Sequence, residues 1–225
     1  MFSQEDVGAK KRNRQRKKID VKMDSKGKHA LVIIDAQLDF MPGGALAVQE
    51  GDQIVPFINA LQADFQTIIA TQDWHPENHG SFAANHDGKS PGEWIELEGL
   101  QQVLWPVHCV QGSPGADFHP ELDRSRWMRI FQKGQNPGVD SYSGFFDNNQ
   151  VVDTGLHAYL QSLGVTELTC VGLAADYCVK FTVLDALRLG YQVHVPAAGT
   201  RAVNLQEGDF ERALAEMQQA GATIQ

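Results

Sequence analysis

A chain of 225 residues with 42% hydrophobic content is long enough to bury one sizeable core, and the expectation is a single α/β domain. Three cysteines, Cys109, Cys170 and Cys178, make neither an even set nor a regular framework, which argues against a disulfide scaffold and for a reducing, cytoplasmic setting. The net charge of −9 is unevenly divided: residues 1–28 hold ten Lys or Arg against four Asp or Glu, and residues 29–225 hold nine against twenty-four.

The basic run KKRNRQRKK reads as a solvated, disordered N-terminal extension over residues 1–28, ahead of one domain over 29–225. An acidic body gives no reason to expect a nucleic-acid partner. No apolar run approaches the ~20 residues that a membrane span needs, so no membrane association is expected. The opening residues also lack the apolar region of a secretory signal.

From residue 29 onward, strand and helix signals alternate. HALVIID (29–35) is a continuous apolar run ending in an acid, as in a central parallel strand. DFMPGGALAV is loop-like, broken by Pro42, Gly43 and Gly44. Residues 53–65 place Ile54, Phe57, Ile58, Leu61 and Phe65 on one helical face, and TIIAT (67–71) is the next strand. Residues 72–126, rich in Gly, Pro, His and Asp, show little periodicity, and so long an irregular stretch is usually functional. A strand is expected over 126–133, a helix over 153–163 and a strand over ELTCVGL (167–173). A helix over 177–189, a strand over 191–196, a helix over 207–220 and an edge strand from Ala222 complete the chain. This alternation predicts a three-layer α/β/α arrangement around a mostly parallel sheet.

Ligands in such sheets bind beyond the carboxyl ends of the strands. Asp35, Asp73, Lys133 and Cys178 all fall at or just past predicted strand ends. Cys178 also sits near a helix start, where outward N–H groups and a neighbouring cation favour thiolate. A carboxylate, an ammonium and a thiol together make a nucleophilic site, with Asp35 able to take and return a proton. DWHPENH and WPVHCVQG add Asp73, His75, His79 and His108. A carboxylate and imidazoles on separate loops fit an open divalent-metal site. His29, His86, His119, His157 and His194 read as surface histidines.

Six blocks, IIDAQLDF, GGALAV, TQDWHPENHGSF, LWPVHCVQGSPGADFHP, FQKGQNPGVDSYSGFFDN and GLAADYCVKFTVLDALRLGY, resemble the isochorismatase-like cysteine hydrolases, and specifically their nicotinamidase branch. The resemblance runs from about residue 29 to the C-terminus. It implies the isochorismatase-like hydrolase fold and deamidation of nicotinamide to nicotinate and ammonia, with pyrazinamide as a further substrate. Cys178 matches the nucleophile, Asp35 the acid/base and Lys133 the third member of the triad. Asp73, His75 and His108 match metal ligands, and His79 a position that ligates in only some relatives. Phe40, Trp105 and Tyr142 match aromatic pocket positions. The Leu173–Ala174 peptide matches a cis bond that sets the N–H groups of Ala174 and Cys178 as an oxyanion hole, with Leu173 also assigned to the substrate pocket.

The implied cofactor is one divalent ion, Zn²⁺ ahead of Fe²⁺ or Mn²⁺; whether the chain forms a homo-oligomer is not legible. The sequence departs from the family pattern at Leu38, Ala175 and Ala198, none of them a proposed catalytic or metal residue. Alternatives at this level are an amidohydrolase of the same fold acting on a ureido or carbamoyl amide, a purely metal-dependent hydrolase with an inert Cys178, and a nucleic-acid binder acting through the basic run.

Overall fold

The computed structural model describes residues 28–225; the basic extension lies outside the described residues except for Lys28. In chain order the strands and helices are β1 (His29–Ile34), α1 (Ile54–Leu61), β2 (Thr67–Asp73), β3 (Trp94–Leu97), β4 (Leu100–Val103), β5 (Arg129–Lys133) and α2 (Leu156–Ser162). They continue with β6 (Glu167–Leu173), α3 (Lys180–Arg188), β7 (Gln192–Val195), β8 (Thr200–Arg201), α4 (Asp209–Gln219) and β9 (Thr223–Ile224). The main sheet runs β5-β2-β1-β6-β7-β9, with β8 pairing β6 beyond the point where β7 leaves it. Every pairing in this sheet is parallel.

Side chains alternate faces along a strand, and β1 divides accordingly. Leu31 and Ile33 pack with Ile54, Val55 and Ile58 of α1. Val32 and Ile34 pack with Leu156 and Leu160 of α2, Val183 and Ala186 of α3, and Met217 of α4. Helices thus cover both faces, giving the expected three-layer α/β/α architecture. Because both faces of β1 are buried, Ala30 to Ile34 are all fully covered, and the strand reads as an unbroken apolar run.

The structure adjusts several boundaries. The helix expected over 53–65 is α1 alone, flanked by single 3₁₀ turns at Gly51–Gln53 and Gln62–Asp64. The strand expected from 126 starts at Arg129, because Arg126 turns away to donate to the carbonyls of Gln62 and Phe65. The loop region 72–126 contains an antiparallel hairpin, β3–β4, which the composition concealed. Its outer positions are half-exposed, with Trp94 60% exposed, so no continuous apolar stripe marks it. The two-residue β8 is too short to leave a pattern. No helix among the described residues is long and apolar enough to cross a membrane.

Candidate active site

Sheet order places four chemically capable residues side by side. β5, β2, β1 and β6 are consecutive neighbours, and Lys133 ends β5 in register with Asp73 at the end of β2. Asp35 follows Ile34 directly, in the left-handed backbone region (φ +45°) that Asp tolerates better than most residues. Cys178 lies five residues past the end of β6, in a π-helical turn (Ala175–Val179) that leads into α3. Such turns recur at functional sites. The Leu173–Ala174 peptide between strand and turn is cis.

Lys133 is the hub. Its buried Nζ lies 2.9 Å from Asp35 Oδ2 and 2.5 Å from Asp73 Oδ1, and donates to Ser141 O at 2.8 Å and to Cys178 Sγ at 3.4 Å. Burial works against the ammonium, but Asp35 and Asp73 outweigh it and hold the Lys133 pKa well above its usual value. Burial pushes the Asp35 carboxyl up, against the pull of Lys133; Thr71 Oγ1 donates to Asp35 Oδ1 at 2.7 Å. Burial likewise drives the Cys178 thiol well above its ordinary range, with only partial relief from Lys133. This direction runs against the thiolate that a helix start and a neighbouring cation favour, because one lysine is shared between two carboxylates and a desolvated thiol.

A second group adjoins the first. Asp73 Oδ2 lies 3.5 Å from His75 Nε2 and 3.9 Å from His108 Nε2, and the three donor atoms fall within 4.8 Å of one another. Each imidazole is fixed from behind, His75 Nδ1 by Gly134 O at 2.9 Å and His108 Nδ1 by Pro106 O at 2.8 Å. These bonds turn both Nε2 atoms toward Asp73, as in metal-ligating histidines. Gly134 is required here: at φ +69° its missing Cβ would stand 2.3 Å from His75 Cε1. Burial lowers the His108 pKa to about 4. It also disfavours charge on Asp73, but Lys133, His75 and His108 outweigh it and keep that carboxylate well below the usual range. A divalent ion takes neutral imidazoles and an ionised carboxylate; the shifts at His108 and Asp73 run toward those states, whereas at His75 burial is outweighed by Asp73, which raises its pKa.

His79 stands beside this set, its ring 4.4 Å from that of His75. Its Nδ1 meets Ser81 Oγ at 2.7 Å, while its buried Nε2 has no partner among the described residues. His75, His79 and Asp140 form an alternative donor group of similar compactness. An orphaned imidazole nitrogen next to Asp73, His75 and His108 fits the presence of an ion, because a buried polar atom without a partner is otherwise costly.

Both groups open on one narrow cavity lined by Phe40, Leu46, Trp105, Tyr142, Tyr177 and Val203, with Asp73, His75, His108, Asp140, Ala174 and Cys178. Trp105 stands edge-on to Tyr177 at 4.8 Å and donates its Nε1–H to Tyr142 Oη at 3.2 Å. Phe40 packs against His108 at 5.6 Å. Of the residues assigned to the pocket from sequence, Leu173 alone is absent from its wall. Its side chain is fully buried in the core on the α1 face, and only its peptide link to Ala174 reaches the site. Tyr177, Leu46, Val203 and Asp140 were not anticipated.

Supporting residues also escaped the sequence reading. Buried Gln37 clasps Asp73 by both backbone groups, at 2.8 Å each, and donates to Ala116 O at 2.9 Å. Asp39 accepts from the N–H of Cys109 at 2.7 Å, tying the 38–48 loop to the residue after His108. Asp176 accepts from Val203 and Asn204 at 3.0 Å each and anchors a far segment beside Cys178. Gln37 and Asp39 lie within DAQLDF, where their proximity to Asp35 was the only available signal. None of the five histidines read as surface residues is fully exposed; each is half-buried.

The chain matches the isochorismatase domain model over residues 29–225. It is 52% identical over 199 residues to the nicotinamidase of Escherichia coli K12, covering 87% of this chain and 93% of that protein. Among solved structures, a nicotinamidase/pyrazinamidase of Acinetobacter baumanii matches with a TM-score of 0.86 at 44% identity, over 89% of this chain and 97% of that one. The pyrazinamidase of Pyrococcus horikoshii, solved in complex with zinc, matches with a TM-score of 0.72 at 38% identity, over 88% of this chain and 98% of that one. The chain belongs to the isochorismatase family, in the branch that holds these nicotinamidases.

Proposed function

We propose that this chain is a nicotinamidase, a metal-containing cysteine amidohydrolase that converts nicotinamide to nicotinate and ammonia. The observation that carries the reading is the convergence on one cavity of Cys178, the Lys133 and Asp35 pair beside it, and the Asp73–His75–His108 set under aromatic walls. Kinship with proteins named nicotinamidase supports the substrate.

Phe40, Trp105, Tyr142 and Tyr177 enclose a flat ring and exclude water. Asp73, His75 and His108, with His79 adjacent, would hold a divalent ion, zinc by kinship with the Pyrococcus horikoshii protein. When bound, that ion supplies a Lewis-acid anchor for the pyridine nitrogen. Attack proceeds as Cys178 Sγ bonds to the amide carbon while its proton passes to Asp35, whose raised affinity for a proton suits it to the task. Lys133 stays charged and steadies the developing thiolate. The N–H groups of Ala174 and Cys178 donate to the tetrahedral oxyanion, each worth about 3 kcal/mol in the transition state.

The C–N bond then breaks, Asp35 returns its proton to the departing nitrogen, and ammonia leaves a thioester on Cys178. Water entering next gives a proton to Asp35 and its oxygen to the acyl carbon. The C–S bond breaks, nicotinate is released, and the proton returns to Cys178. The amidase unit spans residues 29–225. Purified protein is expected to release ammonia from nicotinamide, to lose that activity with a chelator, and to keep it when residues 1–28 are removed. A Cys178→Ala protein that still turns over nicotinamide would overturn the mechanism.

A further inference from the structure

Three neighbouring strands of the sheet, β1, β6 and β7, also gather titratable groups away from the cavity. His29 opens β1, Glu167 opens β6 and His194 lies third in β7. Register pairs His29 with Glu167 and Thr169 with His194, so all four side chains leave the sheet on one face. It is the face of Leu31 and Val171, beneath Phe65, whose ring meets that of His29 edge-on at 4.9 Å.

His194 Nε2 lies 2.6 Å from Glu167 Oε1, and His29 Nδ1 lies 3.8 Å from Glu167 Oε2. Behind it, His29 Nε2 meets Thr169 Oγ1 at 2.9 Å. When that nitrogen donates its proton to Thr169, the Nδ1 lone pair faces the carboxylate. This is the fixation from behind that orients metal-binding imidazoles. One donor atom from each of the three residues falls within 4.8 Å of the others. The side chains of His29, Glu167 and His194 are 30%, 29% and 21% exposed, which leaves the cluster open to an ion and to completing waters. A simple ion pair would satisfy Glu167 with one histidine; the second imidazole, held at 3.8 Å without a hydrogen bond to the carboxylate, is in place for a shared ion.

We propose that His29, Glu167 and His194 form a second metal site, for a divalent ion of the Zn²⁺ and Co²⁺ class, at the edge of the sheet opposite the cavity. Two imidazoles and one carboxylate with open positions suit that class better than Mg²⁺ or Ca²⁺, which take oxygen donors. As the ion enters, the proton that His194 Nε2 shares with Glu167 departs to solvent. At ~3.3 Å per residue, β1 separates His29 from Asp35 by about 20 Å, so the site takes no direct part in amide hydrolysis. It ties together the starts of β1 and β6 and the middle of β7.

The test is metal stoichiometry on the full chain equilibrated with Zn²⁺ and cleared of free ion. Two equivalents are expected for the unsubstituted protein, and one for a His29→Ala/His194→Ala double variant with ammonia release unchanged. Glu167→Gln, nearly isosteric, guards against a folding defect and should lose the same equivalent. In a His75→Ala/His108→Ala background, which breaks both histidine-containing donor groups of the cavity, Zn²⁺ should still raise Tm, and adding Glu167→Gln should abolish that shift. Equal zinc content in the unsubstituted and His29→Ala/His194→Ala proteins would overturn the proposal. So would a His75→Ala/His108→Ala protein whose Tm ignores Zn²⁺.

Discussion

The two edges of the central sheet carry similar chemistry under opposite conditions. At the carboxyl edge, Asp35, Asp73, Lys133 and Cys178 are all buried, and one ammonium serves two carboxylates and a thiol. At the amino edge, Glu167 lies between two half-exposed histidines. Charges removed from water depend wholly on one another, because breaking one member of a buried pair strands the rest. Where water still reaches, the same pairing is worth little. The difference teaches how burial sets the two edges apart: at the carboxyl edge protein groups alone surround each proton, whereas at the amino edge solvent competes for it.

The contrast between the edges breaks most completely at Cys178, the nucleophile of the proposed mechanism. Cys178→Ala should reduce ammonia release by at least about 10⁴-fold, as for other nucleophile deletions, while far-ultraviolet circular dichroism stays native. Lys133→Met should come next. It leaves Asp35 and Asp73 buried without their cation and should cost about 3–5 kcal/mol in urea unfolding, together with activity. Gly134→Ala would force a Cβ against the His75 ring at a left-handed position, costing about 1–3 kcal/mol and lowering metal content and turnover together.

Two milder changes sharpen the contrast. Tyr142→Phe removes the acceptor for Trp105 Nε1 and Gln102 Nε2 inside the cavity, and should destabilise by about 1–3 kcal/mol and raise KM for nicotinamide. Without added metal, Glu167→Gln at the solvated edge should change unfolding free energy by no more than about 1 kcal/mol. A larger loss there would mean that the amino edge is as tightly coupled as the carboxyl edge.

The chemical residues were legible because they follow unmistakable strands. The apolar runs of β1, β2 and β6 announce themselves, so Asp35, Asp73 and the segment leading to Cys178 could be placed at strand ends from spacing alone. Lys133 was placed the same way, even though its strand begins three residues later than its pattern implied. Gln37 and Asp39 were not recognised, because a buried amide clasping a backbone has no periodicity and declares itself only when its partner arrives from another strand. Leu173 was assigned to the pocket by position in a motif, but strand alternation turns its side chain into the core. The hairpin β3–β4 stayed hidden because its outward residues are too mixed to alternate.

By itself, then, the sequence determined the alternation of elements, the parallel sheet and the identity of the groups at its carboxyl edge. Those properties follow from local periodicity and from the rule that such sheets react at that edge. Tertiary structure alone decided protonation and partnership. Burial, with two carboxylates distant in sequence, pushes the Cys178 thiol up against the pull of Lys133. His29, Glu167 and His194 meet only through the register of three strands. Neither outcome has a local signal, because desolvation and through-space charge depend on what is packed around a group and not on its neighbours along the chain.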